Sequence, residues 1–282
     1  MKILIIGLGS IGARHCRNLH TLRPDYEIIG ADPGPVDWSR FSIKQLYFSW
    51  RDALNNNRDI GAAIITSPTT VHHEQATALA SRRVPFYVEK PVCTADEIEA
   101  MPALISACGS LGLRCAVGHQ YRFASVMAKA APAIQNRKHA RFYACDDLLA
   151  RYGADCLSAI AAHPIDTALW LLGPAAEIDI ETDGLSVRGT IRHVDSGISE
   201  YDCRIDQRPR ISTITSEDAN GRTWNTWSLE AANLMYLDAL SAWLAWVEGG
   251  ECNPRLAMLA DGLAVVEVMA QTRRVVSTYV TQ

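Results

Sequence analysis

KILIIGLGSIG, residues 2–12, decides the fold. Lys2 to Ile6 reads as a compact strand, apolar without a break from Ile3, as burial on both faces requires. Glycines follow at 7, 9 and 12, and Ile11 to Leu22 has helical spacing, closed by Pro24. Strand, glycine loop and helix in that order are the setting of a dinucleotide phosphate site. Gly7 permits a tight turn, Gly9 lets a pyrophosphate approach the backbone, and Gly12 lets helix and strand pack closely. Ser10 and Ile11 open the helix, whose free N–H groups and positive potential face the phosphates. Asp32 ends the second strand, Tyr26 to Ala31, about 20 residues further on, where an acid accepts from a ribose 2′-hydroxyl. A carboxylate there repels a 2′-phosphate, so NAD is favoured over NADP. NADP stays open through Arg40, which lies beyond two prolines.

The same rhythm continues outward from this loop. Leu46 to Phe48, Ile60 to Thr66, Phe86 to Val88 and Arg114 to Val117 read as further strands. Between them, Asp52 to Asn57, Val71 to Arg83 and Thr94 to Cys108 read as helices, the last opened by the capping-box pattern Thr94-Ala95-Asp96-Glu97. Apolar strands alternating with amphipathic helices predict a doubly wound parallel sheet, a Rossmann domain over 1–120. The pattern then changes. Helices are expected at Ala124 to Gln135 and His163 to Leu172, a strand at Ala140 to Cys145, and an antiparallel meander over Ile178 to Ile214. Two long helices, Leu229 to Val247 and Leu256 to Arg273, follow. Residues 121–282 are therefore expected to form a second, α+β domain for substrate binding and oligomerisation.

Composition sets outer bounds. Nearly half of the 282 residues are apolar, and the net charge of −4 gives no bulk attraction to nucleic acid or anionic membrane. No stretch has membrane length or a signal-peptide pattern, so a cytoplasmic protein is expected. The eight cysteines show no C-x-x-C and no zinc spacing, and are read as free thiols; no metal site is expected.

PFYVEKPV, residues 85–92, raises a separate question. A buried strand ends abruptly at Glu89, Lys90 and Pro91. Lys90 is either a surface side chain paired with Glu89 or an ammonium delivered to a working site, since ligands bind outside the carboxyl ends of such strands. His163 and Asp166 have an equally local reading, as a helix cap and a first-turn acid around Pro164. His119 reads as a core histidine, and Trp243 and Trp246 as core or interface.

TSPTTVHHEQA (66–76), YVEKPV (87–92), VGHQYRF (117–123), HPIDTALWLLG (163–173) and LADGLAVVEV (259–268) together resemble the Gfo/Idh/MocA oxidoreductase family. The resemblance covers nearly the whole chain, and the Glu-Lys-Pro element is its most specific mark. It implies a C-terminal domain with a large open, mainly antiparallel sheet, and NAD(P)-dependent hydride transfer on sugars, cyclitols or nucleotide sugars. It implies Lys90 on the reacting oxygen, often before a cis proline bond, and His163 as the catalytic histidine. Thr66, Pro68, His72 and Glu89 fall with the cofactor. Tyr121, Arg122 and Asp166 join Lys90 and His163 as substrate-side residues. It also implies a homodimer or homotetramer through the C-terminal sheet, with Trp224 and Trp227 as candidate contacts. One departure stands out: many members carry Asp four residues before the histidine, where this chain has Ala159. The expected activity is an NAD(P)-dependent oxidoreductase of a small sugar-like molecule. Reduction of a C=N bond, or a cofactor-binding sensor without turnover, are the alternatives.

Overall fold

The computed structural model describes residues 1–35, 42–148, 157–217, 223–229 and 233–275. They form two compact units, Met1–His119 with Tyr236–Leu263, and Gln120–Met235 with the remainder. A single cut at 120 was the expectation from composition. The segment Tyr236–Leu263 instead packs with the N-terminal residues, because its apolar face is complementary to that unit: Trp243 is fully buried and donates from Nε1 to the Arg114 carbonyl at 2.9 Å.

In the first unit, β1 (Lys2–Ile6), β2 (Glu27–Ala31), β3 (Gln45–Tyr47), β4 (Ile60–Ile65), β5 (Phe86–Val88) and β6 (Ala116–Val117) build one sheet. Its order is β3-β2-β1-β4-β5-β6, and every pairing is parallel. Ile3, Leu4 and Ile5 are fully buried, as a central strand covered on both faces demands. The helices are α1 (Ser10–Leu22), α2 (Trp50–Asn56), α3 (His72–Ser81) and α4 (Met101–Ser110). The segment expected as one helix from Thr94 begins as a 3-10 stretch, Ala95–Ala100, before α4. Its capping box is in place: the Glu97 carboxylate accepts from the Thr94 N–H at 2.9 Å.

The second unit carries β7 (His139–Asp147), β8 (Ala175–Thr182), β9 (Ser186–His193), β10 (Ile198–Arg204), β11 (Asp206–Glu217), β12 (Thr223–Ser228) and β13 (Arg273–Arg274). They form one mixed sheet, β12-β11-β7-β10-β9-β8-β13. The expected meander is interrupted. β8, β9 and β10 follow it, but β11 pairs antiparallel with β7, and β7 lies parallel to β10. Alternation of apolar residues identifies strands, and it carries no information about which strand is a neighbour. Helices α5 (Met127–Arg137) and α6 (Ala162–Leu172) pack on this sheet. The remaining helices are α7 (Asn233–Val247) and α8 (Leu259–Gln271), and the division between units runs through α8. No helix among the described residues is long and apolar enough to cross a membrane.

Candidate functional site

The glycine loop joins β1 to α1 as its spacing requires. Gly7 has φ +92°, and a Cβ there would meet the Ser67 backbone at 2.6 Å. A Cβ on Gly12 would run into the Gly7 carbonyl, so α1 can lie this close to β1 only without one. Gly9 differs: a Cβ built on it meets nothing within 4 Å, so open space lies in front of the backbone. Gly9 caps α1 with no side-chain hydrogen bond, and the first turn holds no acid. The first N–H groups of α1, from Ser10 and Ile11, are thus left for an anion, which is what a pyrophosphate needs. These residues fit a dinucleotide.

Asp32 leaves the end of β2 half-buried. One carboxylate oxygen accepts from the Leu8 N–H at 2.6 Å and the other from the Gly34 N–H at 2.8 Å. It therefore ties the glycine loop to the loop after β2, and each oxygen keeps a lone pair for a ribose hydroxyl. Arg40 lies outside the described residues. Thr66, just past β4, places its hydroxyl 2.5 Å from the Gly7 carbonyl and 3.1 Å from that of Ile6, bracing the loop from the neighbouring strand. Pro68 is exposed beside it, opening a short 3-10 turn.

Lys90 is half-buried at the carboxyl end of β5, the sheet edge that also carries the glycine loop and Thr66. The Lys90–Pro91 bond is cis. Its neighbours are engaged within the protein. Glu89 is 7% exposed and its Oε1 stands 2.9 Å from His15 Nε2, on α1. His72 is 1% exposed, with Nδ1 2.8 Å from the Pro91 carbonyl and Nε2 2.8 Å from the Ser67 carbonyl. Carbonyls only accept, so a neutral ring donates to one of them at a time. Burial pushes the His72 pKa down and favours that neutral form. Glu89 and His72, expected beside the cofactor, brace the backbone around Lys90. His73 is half-exposed, and His119 is buried as a core histidine.

The second unit assembles its own cluster on the 3-10 turn Gln120–Phe123 and on α6. The rings of Tyr121 and His163 stack with centroids 4.4 Å apart and planes 13° from parallel. Burial pushes the Tyr121 phenol up, so it stays a neutral hydroxyl, 3.3 Å from Ser212 Oγ. Arg122 grips Asp166 in a fork, Nε at 3.0 Å from one oxygen and Nη2 at 2.6 Å from the other. Both are almost wholly buried. Arg122 and Asp166, expected on the substrate side, pair with each other and lock the Tyr121 turn to α6.

His163 does not cap a helix. A π-helical turn, Leu157–Ala161, runs directly into α6, so His163 and Pro164 lie inside a continuous helical stretch. Pro164 has no N–H for the carbonyl four residues back, and the wider turn occurs where that bond is missing. The Ala159 side chain lies outside what the structure describes. Sequence reasoning missed two features: the His15–Glu89 pair and the Tyr121–His163 stack. His15 sits one turn past Gly12 on the buried face of α1, so helical spacing alone marks it as buried; its partner, 74 residues away, has no local signal.

Residues 1–119 match the family model described as oxidoreductase family, NAD-binding Rossmann fold, GFO_IDH_MocA. A 4-carboxy-2-hydroxymuconate-6-semialdehyde dehydrogenase from Sphingobium sp. (strain NBRC 103272 / SYK-6) is 29% identical over 128 residues. That match covers 44% of this chain and 39% of the relative's length. Among solved structures, myo-inositol 2-dehydrogenase from Lactobacillus plantarum superposes with TM-score 0.79 at 15% identity, over 96% of this chain and 95% of that one. The WlbA (WbpB) dehydrogenase from Thermus thermophilus, in complex with NAD and UDP-GlcNAcA, gives 0.78 at 14% identity, over 99% and 97%. At such identities the likeness establishes the shared fold. Gly7, Gly9, Gly12 and Asp32 stand where a dinucleotide loop requires them, and they fall within the residues that match the NAD-binding Rossmann model of the GFO_IDH_MocA oxidoreductase family.

Proposed function

We propose that this protein is an NAD-dependent oxidoreductase acting on a small polyhydroxylated, sugar-like molecule. The observation that carries the reading is Lys90, at the carboxyl edge of the same parallel sheet that offers the glycine loop and Asp32. The bound nicotinamide would supply or accept a hydride. Lys90 would hold the reacting oxygen of the substrate and offset the charge that develops on it. His163, its ring fixed by the Tyr121 stack, would serve as the proton donor or acceptor of the reaction. The inositol and nucleotide-sugar names of the structural relatives support the substrate class. A homodimer or homotetramer through the second sheet, with Trp227 at the contact, belongs to the same reading.

The test is turnover with NAD on a panel of inositols, aldoses and nucleotide sugars, for the native protein and Lys90→Met. Lys90→Met should keep its fold and NADH binding and lose most turnover. Near-native turnover in that variant would make the ammonium structural. One observation favours imine reduction as a second reading. Asp166, the acid on the His163 helix, is committed to Arg122, and Ala159 replaces the family's other acid. An imine is readily protonated and tolerates a weakly supported histidine. NADH oxidation by cyclic imines but by no carbonyl compound would select it.

A further inference from the structure

The two residues that flank Lys90 in the chain are each held by a buried imidazole, and the two imidazoles come from different helices. His15 from α1 holds the Glu89 side chain at 2.9 Å, and His72 from α3 holds the Pro91 carbonyl at 2.8 Å. We propose that His15 and His72 are positioning residues for Lys90, acting together as a brace that fixes where its ammonium is presented. The inference rests on the reading of Lys90 as the reacting lysine.

Each arm has few alternatives. His15 is fully buried, and its Nδ1 finds no partner among the described residues, so Glu89 is the ring's hydrogen-bond partner there. The ring is also wedged edge-on against Tyr87 of β5, with centroids 5.6 Å apart. Glu89 is seated from the other side by Gly118: a Cβ there would stand 2.9 Å from the carboxylate carbon. A buried carboxylate without a donor is costly, so this carboxylate does not leave His15 cheaply. The other nitrogen of His72, Nε2, stands 2.8 Å from the Ser67 carbonyl in the turn after β4, and the neutral ring donates to one of these two carbonyls at a time. That turn begins with Thr66, which braces the glycine loop. His15 itself sits one turn past Gly12, on the helix whose N-terminus would face the phosphates. The brace therefore references Lys90 to the two segments that would hold the cofactor. A lysine at a strand end has four rotatable side-chain bonds, so fixing its backbone on both sides narrows where its ammonium can reach.

The test reads Lys90 directly and needs no substrate. The full-length protein is labelled with a trace of acetic anhydride, and the rate at Lys90 is taken relative to exposed Lys129 by peptide mass spectrometry. His15→Leu and His72→Leu should each raise the Lys90 rate by about fivefold, the shift in equilibrium that one hydrogen bond supports. His15→Gln, whose amide can reach Glu89 as Nε2 does, should restore the native rate. An unchanged or slower Lys90 rate in folded leucine variants overturns the proposal. If leucine is not tolerated, His15→Gln is compared with His15→Met, which keeps bulk without a donor, and equal Lys90 rates overturn it. Failure of the underlying reading looks different: Lys90→Met would keep its turnover while the labelling pattern stood.

Discussion

Removing the Asp166 carboxylate should destabilise the second unit more than any other single change in the candidate residues. The fork from Arg122 places nitrogen and oxygen 2.6–3.2 Å apart with both residues almost without solvent contact. At such separations an effective dielectric near 20 gives an attraction of about 5 kcal/mol. Desolvation of both charges cancels much of that in the intact pair. In Asp166→Ala the guanidinium stays buried beside Trp170, 5.6 Å from its ring centre, with its counter-charge gone. A broken buried pair of this kind typically costs about 3–5 kcal/mol. The double variant Arg122→Met, Asp166→Leu should recover most of the loss, since no buried charge remains. The assay is guanidinium unfolding followed by far-UV circular dichroism. A loss below about 1 kcal/mol for Asp166→Ala, within the range of an exposed ion pair, would refute the argument. It would return Arg122 and Asp166 to the set of groups available to a ligand.

Three further outcomes are expected. NADH should bind more tightly than NADPH by fluorescence titration, and Asp32→Ser should narrow the gap; equal affinities would point to Arg40 closing on a phosphate. His163→Ala should lower turnover by about 10²–10⁴-fold at saturating substrate, the usual contribution of a positioned imidazole, and native turnover would reduce His163 to a packing partner of Tyr121. Stability should fall on mild acidification. His72 and His193 both have pKa values pushed below 6.5, in each case chiefly by burial. The unfolded chain then binds protons that the folded one does not, so stability is full above pH about 6.5 and declines as pH falls below it. Denaturant midpoints measured from neutral pH to about pH 5 check this, and a flat profile, with no smaller slope in His193→Gln, would contradict it.

Sequence by itself determined the parts of this protein whose logic is local. The loop at Gly7, Gly9 and Gly12 could be read because backbone sterics and phosphate approach act within a dozen residues. Asp32 could be read because strand length fixes its distance from that loop, and the parallel sheet because strand and helix periods differ. Tertiary structure decided every feature that depends on a distant partner. Glu89, His72, Arg122 and Asp166 were legible as polar residues near a site, and packing turned all four inward, onto His15, two backbone carbonyls and each other. Charged and polar groups cannot be buried alone, so what they do follows from which partner lies opposite, and that partner lies 74 residues away for Glu89 and 44 for Arg122. The same reason governs the second sheet. Alternation marked β7, β10 and β11 as strands, but the insertion of β7 between the other two follows from long-range pairing, which a period of two along the chain does not encode.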